Sequence, residues 1–126
     1  MTDQAPYAYA AVTGAQQTIF TAGACPLDAE GHKVAVNDYI GQAHQVMANL
    51  VTAMRAAGAD LSDVVKSTVY AASSQRIDLV AVWDVVQDAF GDHQAPSTLL
   101  GVSVLGWPDQ LVEAEAIAVI PEPSMQ

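Results

Sequence analysis

Two segments of the chain carry apolar residues at the three- and four-residue spacing that places them on one face of a helix. The first begins at Asn37 or Asp38, either of which can cap a helix N-terminus, and ends before Gly58. The second ends before Gly91, and its candidate N-caps are Ser73, Ser74 and Asp78. The apolar positions are Ile40, Ala43, Met47, Leu50, Val51 and Met54 in the first helix, and Ile77, Val80, Trp83, Val85 or Val86, and Phe90 in the second.

Runs of β-branched, aromatic and alternating apolar residues predict strands around these helices. Two runs, at 7–12 and 17–22, flank a turn that contains Gly14 and predict a hairpin. Later strands are predicted at 64–70, 96–104 and 111–119, with a further short one at 32–36. The last long strand alternates strictly, so Glu113 and Glu115 are expected on the same face of the sheet.

The order of these elements predicts an α+β fold in which two helices cover one face of a single mixed sheet. With 126 residues the chain has room for one domain, spanning 1–126. Several predicted strands carry apolar residues at both odd and even positions, which face opposite sides of the sheet. The face without helices is therefore also expected to be buried. Self-association is the simplest way to bury it, and we therefore expect an oligomer.

The charge balance is strongly acidic, with four Lys and Arg residues, fourteen Asp and Glu residues and a formal net charge of −10. The basic residues fall in different predicted elements, whereas a phosphate backbone needs several on one face, so nucleic acid and anionic membranes are disfavoured partners. No secretory signal pattern and no run of about eighteen apolar residues occurs, and a cytoplasmic location is expected. The single cysteine, Cys25, has no His near it in the sequence and is interpreted as a small buried hydrophobe.

Short segments spread over nearly the whole chain resemble the landmarks of one protein family, in the same order. They are Pro6-Tyr7, Thr21-Ala22-Gly23, Pro26-Leu27-Asp28, Ala57-Gly58-Ala59, Asp63-Val64-Val65-Lys66, Ser97-Thr98 and the strand from Leu111 to Val119. On these residues the chain resembles the Rid/YjgF family of reactive-intermediate deaminases. The resemblance implies a chorismate-mutase-like protomer, a homotrimer whose sheets form a central barrel, and an active site in each cleft between subunits.

The same resemblance implies roles for individual residues. Glu113 matches the family glutamate that positions or activates the water attacking an imine carbon, and it is the candidate catalytic residue. Tyr7 matches a tyrosine that lines the pocket. Gly23 and Ala24 match the turn whose backbone N–H groups help to bind the substrate, and Asp84 falls where an asparagine of the second helix often stands.

One landmark of the family is missing. In the family an arginine within a Pro-Ala-Arg-Ser/Thr stretch binds the substrate carboxylate, whereas this chain reads HQAPST from His93 to Thr98. Pro96 or Ala95 takes the arginine's approximate place, and Pro96 and Ser97 are candidate substrate-binding residues. Because a charge-assisted contact of this kind contributes roughly 1.5–3 kcal/mol, small 2-imino acids are poor candidate substrates. A neutral or cationic small molecule is expected instead.

The resemblance implies a hydrolase that acts on an enamine or imine and needs no cofactor. No metal-ligand spacing and no phosphate-binding glycine loop is found in the sequence, so neither a metal nor a nucleotide cofactor is expected. A non-catalytic trimer that binds a small metabolite is the alternative. The endoribonuclease activity attached to the family's name is least favoured, because the chain is acidic and offers no His–Lys–Arg cleavage cluster.

Overall fold

The computed structural model describes residues 8, 11 and 16–121, which form a four-stranded mixed sheet with two helices. In chain order the elements are β1 (Gln16–Phe20), α1 (Tyr39–Ala56), a one-turn 3-10 helix (Leu61–Asp63), β2 (Val64–Ala71), α2 (Arg76–Phe90), β3 (Ser97–Gly101) and β4 (Val112–Pro121). The strand order is β1-β4-β2-β3, in which β2 is parallel to β3, and β4 is antiparallel to β1 and β2. The predicted α+β architecture is confirmed.

The two faces of the sheet have different surroundings. On β4 the even-numbered residues from Val112 to Ala118 are buried in one core with both helices, and the odd-numbered residues are half-buried on the other face. We call the face without helices the open face. Its residues, assigned from strand parity and pairing, are Gln16, Thr18 and Phe20 of β1, Lys66, Thr68 and Tyr70 of β2, Thr98 and Leu100 of β3, and Glu113, Glu115, Ile117, Val119 and Pro121 of β4.

Helix α1 forms where it was predicted because both of its ends are satisfied. Asp38 is the N-cap, and its Oδ1 accepts the N–H of Gly41 at 3.0 Å. At the other end Gly58 has a φ of +91°, which lets the N–H of Ala59 return to the carbonyl of Met54 at 2.9 Å. The residues buried by α1 are Gln42, Ala43, Val46, Met47, Leu50 and Met54. The prediction for Ile40 is wrong: it is 51% exposed, because it lies in the first turn before this buried stretch begins.

Helix α2 ends at Gly91 as predicted, but two details of the prediction are wrong. Its N-cap is Gln75, whereas the hydroxyl of Ser73 orders the turn before the helix by accepting the N–H of Gln75. Its buried residues are Val82, Val85, Val86 and Phe90, and the predicted core residues Ile77 and Val80 are exposed. Ile77 precedes Val86 by nine residues, which is about two and a half helical turns and places it on the opposite side.

Two strand predictions differ from the structure, and a third falls largely outside the residues that it describes. Residues 32–36 do not form a strand; positive φ angles at Ala35 and Asn37 turn the backbone there, and a single bridge joins Leu27 to Lys33. Strand β3 ends at Gly101, earlier than predicted. The first strand of the predicted hairpin, apart from residues 8 and 11, lies outside the described residues, and so does Tyr7. Within 16–121, neither helix is both long and apolar enough to cross a membrane.

Candidate functional site

Two carboxylates lie on the open face of the central strand β4. Glu115 is paired across the sheet with Thr68, and Glu113 with Tyr70. The Tyr70 hydroxyl donates diagonally to Glu115 Oε1 at 2.7 Å. This hydrogen bond, then burial and the negative charge of the two glutamates, raises the pKa of Tyr70. The phenol therefore stays protonated and keeps Glu115 engaged.

Glu113 has a different set of partners. Its Oε1 accepts a contact from the thiol of Cys25, at 3.4 Å, and another from Nε2 of Gln110, at 3.3 Å. Both donors are neutral, and among residues 16–121 the carboxylate forms no ion pair. The contacts of Glu113 Oε1 are therefore a thiol and an amide, neither of which is a cation.

Gly23 lies directly against the Glu113 side chain. A Cβ atom at position 23 would come within 2.6 Å of Glu113 Cδ and 2.7 Å of Oε2. Carbon and oxygen atoms do not approach so closely without repulsion, so only glycine leaves room for the carboxylate in this position. The predicted pair Gly23 and Glu113 is thus brought together by the fold.

The amide of Gln110 has one acceptable orientation. Its Oε1 accepts the backbone N–H of Trp107 at 3.1 Å, while its Nε2 donates to the carbonyl of Val112 at 3.2 Å and faces Glu113. Reversing the amide would direct its oxygen at two acceptors and its NH2 group at a donor. Because Gln110 is only 4% exposed, this arrangement cannot be replaced by hydrogen bonds to bulk water.

Cys25 is not the simple buried hydrophobe expected from the sequence. It is half-buried, and its thiol lies among Glu113, Gln110 and Trp107 because the segment after β1 crosses the start of β4, where Ala24 bridges to Ala114. Burial raises the pKa of the Cys25 thiol, and the hydrogen bond and negative charge of Glu113 raise it further, while contacts with Gln110 and Trp107 lower it. The thiol is therefore a hydrogen-bond donor to Glu113 rather than a ready thiolate.

A shallow hollow lies on the open face further along β4 from Glu113, and Lys66 is the one cationic residue among the described residues that line it. It is lined by Phe20, Thr21, Lys66, Thr68, Glu115, Ala116 and Ile117. The ammonium of Lys66 donates to Thr98 Oγ1 at 2.6 Å, on the side of β2 away from β4. Lys66 is thus held toward β3 rather than toward Glu113.

The other predicted substrate-binding residues that the structure describes do not contact the Glu113 carboxylate in any hydrogen bond, and Asp84, Pro96 and Ser97 lie on other elements. The N–H of Ala24 donates to the carbonyl of Ala114 at 2.7 Å, so this amide is already engaged within the sheet. Asp84 is exposed on α2. The Ser97 hydroxyl contacts that of the buried Ser67, on the helix side of the sheet, and the Pro96 carbonyl accepts the N–H of Ser67.

The sheet register shows how far Pro96, in the segment from His93 to Thr98, lies from the carboxylate of Glu113. Residue 96 extends the β3 register to the level of Lys66, whereas Glu113 is level with Tyr70 and Leu100. Four residues along a strand span about 13 Å and two strand spacings about 10 Å, which puts Pro96 roughly 16 Å from Glu113 in one protomer. A small molecule cannot contact both from the same subunit.

The fold and the site together define a class of protein: a small α+β domain whose four-stranded mixed sheet carries two helices on one face and a half-buried glutamate on the other. Comparison with known proteins then gives the family. The Endoribonuclease L-PSP family model matches residues 2–120, and the chain belongs to this family, which is the Rid/YjgF family that the sequence resembles.

Individual relatives agree with that assignment. A RutC family protein from Pyrococcus abyssi is 35% identical over 113 residues, which cover 90% of this chain and 85% of that protein. Protein DfrA from Myxococcus xanthus is 33% identical over 119 residues, with the same coverage of 90% and 85%. Among solved structures, the Rid family protein YyfB from Yersinia pestis gives a TM-score of 0.86 at 30% identity, covering 91% of this chain and 87% of that one. The YjgF gene product of Escherichia coli gives 0.70 at 30% identity, covering 92% and 89%.

Proposed function

We propose that this protein is an enamine or imine deaminase-like hydrolase, with Glu113 as its catalytic residue and a neutral or cationic small metabolite as its substrate. The observation that carries the proposal is the setting of Glu113. Its Oε1 is held by two neutral donors, and its Oε2 lies beside the backbone of Gly23. A carboxylate held in this way is oriented for proton transfer without being neutralised by a bound cation.

The chemistry requires one group that can accept and return a proton. Water adds to the carbon of a protonated imine while Glu113 accepts a proton from that water, which forms a carbinolamine. The same carboxyl group then protonates the amino group. As the C–N bond breaks, ammonia leaves, the hydroxyl proton passes to Glu113, and Glu113 returns it to the ammonia as ammonium. The overall change converts an iminium ion and water into a carbonyl compound and an ammonium ion. The iminium carries a positive charge, which the Glu113 carboxylate stabilises.

The missing arginine determines which substrates are disfavoured. Three other basic groups of the described region are engaged elsewhere: Arg55 with Asp60, Lys66 with Thr98, and His93 with the carbonyl of Val64. A 2-imino acid would therefore bring its carboxylate to a face that carries two glutamates, with no arginine at the position where the family's arginine binds it. We expect such substrates to bind roughly 10- to 100-fold more weakly than they would with a bidentate arginine present.

We further propose that the site is completed between copies of the chain in a cytoplasmic homotrimer. The separation of Pro96 from Glu113 supports this, because the two can meet at one ligand only if they come from different subunits. The open face also supports it: Phe20 is 73% exposed and Leu100 is 44% exposed there. With Ile117 and Val119 of β4 on the same face, they give the open face an apolar character of the kind that an assembly covers.

The proposal is tested with purified parent protein and three freshly generated substrates: a neutral imine, an aminomuconate-type substrate and 2-iminopropanoate. We expect turnover of at least one of the first two and slow turnover of 2-iminopropanoate. Glu113→Gln keeps the shape of the side chain and removes its basicity, and it should lower kcat by about 10²- to 10⁴-fold. The matched control Glu30→Gln removes the same charge from an exposed turn.

Four results would contradict parts of this proposal. Fast turnover of 2-iminopropanoate would refute the argument from the missing arginine. Full activity of Glu113→Gln would exclude Glu113 as the catalytic group. If no imine is turned over, but a small metabolite binds equally well to the parent and to Glu113→Ala, the protein is a binding trimer instead. Sedimentation of the parent as a monomer would refute the shared site.

A further inference from the structure

The Glu113 carboxylate is held by a residue that the sequence did not single out. Gln110 lies two residues before β4, and its side chain reaches along the strand to touch the carbonyl of Val112 and Oε1 of Glu113. The same amide nitrogen lies 3.5 Å from the sulfur of Cys25. One buried amide therefore contacts both Oε1 of Glu113 and the thiol that donates to the same oxygen.

Hydrogen bonds within the turn around Gln110 restrain its amide against Glu113. The N–H of Gln110 donates to the carbonyl of Trp107 at 3.2 Å, and the N–H of Trp107 donates back to Gln110 Oε1 at 3.1 Å. The residues on either side are fixed as well, because Gln42 donates to the carbonyl of Asp109 and accepts the N–H of Leu111. The turn thus presents the Gln110 amide in one orientation, toward the carboxylate.

The arrangement distinguishes the two oxygens of Glu113. Oε1 faces Gln110 and Cys25, whereas Oε2 is the carboxylate oxygen that would touch a Cβ at position 23. Neither donor transfers its proton at neutral pH, since one is an amide and the other a thiol whose pKa is raised. Proton transfer is left to Oε2.

We infer that Gln110, with Cys25, is a positioning residue for Glu113: it fixes Oε1 and leaves Oε2 as the oxygen that exchanges a proton with the substrate. The inference rests on the proposed function, and it names the residue that orients the catalytic group. Holding a reacting group within a fraction of an ångström of its productive position is a recognised source of rate acceleration.

Cys25 supplies a test that does not depend on activity, because it is the only cysteine in the chain. The rate of its alkylation by iodoacetamide, measured against pH, reports the pKa of the thiol. Glu113→Gln removes a group that raises this pKa, so its alkylation midpoint should fall below that of the parent. Gln110→Met removes a donor that lowers the pKa, so its midpoint should rise.

The control separates contact with the carboxylate from loosening of the turn. Gln42→Met removes another buried glutamine that holds the same turn but touches neither Cys25 nor Glu113. Its alkylation midpoint should match that of the parent. A midpoint in Gln110→Met that equals the parent value, or a shift in Gln42→Met as large as that of Gln110→Met, would overturn the inference. If Gln110→Met does not fold, Gln110→Asn shortens the side chain by one methylene and is used in its place.

The catalytic arm uses whichever imine the parent turns over. Gln110→Met should lower kcat about tenfold or more and leave KM nearly unchanged, because the lost contact orients the base rather than binding the substrate. An unchanged kcat with an altered KM would overturn the inference while leaving the proposed function intact. If the parent turns over no imine, the proposed function fails, and the alkylation series still decides whether Gln110 contacts the thiol that donates to the Glu113 carboxylate.

Discussion

Replacing Gly23 by alanine tests the geometry of the site with a single methyl group. The added Cβ would lie 2.6 Å from Cδ, 2.7 Å from Oε2 and 2.8 Å from Cγ of Glu113. Favourable carbon contacts begin at about 3.5 Å, so the carboxyl group must retreat by about 1 Å. The backbone does not oppose the substitution, because Gly23 does not have a positive φ.

Gly23→Ala is expected to lower kcat strongly while changing the free energy of unfolding only slightly. The atoms that clash belong to the far end of a half-buried side chain, which can move aside. Alanine also reduces the entropy of the unfolded chain by about 0.4–1 kcal/mol relative to glycine, which offsets part of the lost contacts. We therefore expect the free energy of unfolding to change by no more than about 1 kcal/mol. A displacement of about 1 Å should lower kcat by about 100-fold.

The assay compares imine turnover and thermal unfolding of Gly23→Ala with those of Gly106→Ala. Gly106 is the matched control, because a Cβ there meets no atom within 4 Å and its φ is not positive. Parent-like kcat in Gly23→Ala would refute the placement of Glu113, and so would an equal loss in Gly106→Ala. Alkylation of Cys25 gives a second reading, since retreat of the carboxylate should lower the pKa of the thiol.

Three further predictions concern the fold around the site. Asp38→Ala removes the N-cap of α1 and should lower the free energy of unfolding, measured by urea titration, by about 1 kcal/mol. Asp38→Asn keeps a capping oxygen and should retain most of the stability that the cap contributes. Leu50→Ala, at a side chain that is 1% exposed, should cost about 2–5 kcal/mol, and a cost below 1 kcal/mol would contradict the packing of α1 on the sheet. The raised pKa of Tyr70 favours the protonated phenol in the folded state, so this stabilisation is present below the unfolded pKa of 10.0 and is lost as the pH rises further. Tyr70→Phe should therefore lose less stability than the parent between neutral pH and strongly alkaline pH, and identical alkaline losses would refute this assignment.

Parity along one strand was enough to predict which residues share a face with Glu113. The alternation from Val112 to Val119 survives in the structure because every second residue of β4 packs beneath the helices. The partners of Glu113 were beyond such reasoning. Cys25 and Gln110 are 85 positions apart in sequence, and their meeting depends on the crossing of the segment after β1 over the start of β4. No periodic pattern contains that information.

The errors in α2 have a similar origin. The helix is apolar on more than one side, so spacing alone allowed Ile77 and Val80 to be placed in the core. The structure buries Val82 together with the predicted Val85, Val86 and Phe90, because the sheet lies on that side. The exposed positions follow from the direction in which α2 crosses the sheet, which is a property of the tertiary fold rather than of the helix sequence.

The loss of the arginine and the surroundings of Glu113 point to the same class of ligand. Pro96 offers no charge, and the groups that touch Glu113 are a thiol and an amide, which orient the carboxylate without neutralising it. If the substrate carried its own carboxylate, this arrangement would oppose binding through repulsion between like charges. If the substrate becomes cationic on protonation of its imine nitrogen, the same arrangement stabilises the species that water attacks. On the proposed function, we therefore expect the missing cation to change the preferred charge of the substrate, with Glu113 as the proposed proton-transfer group.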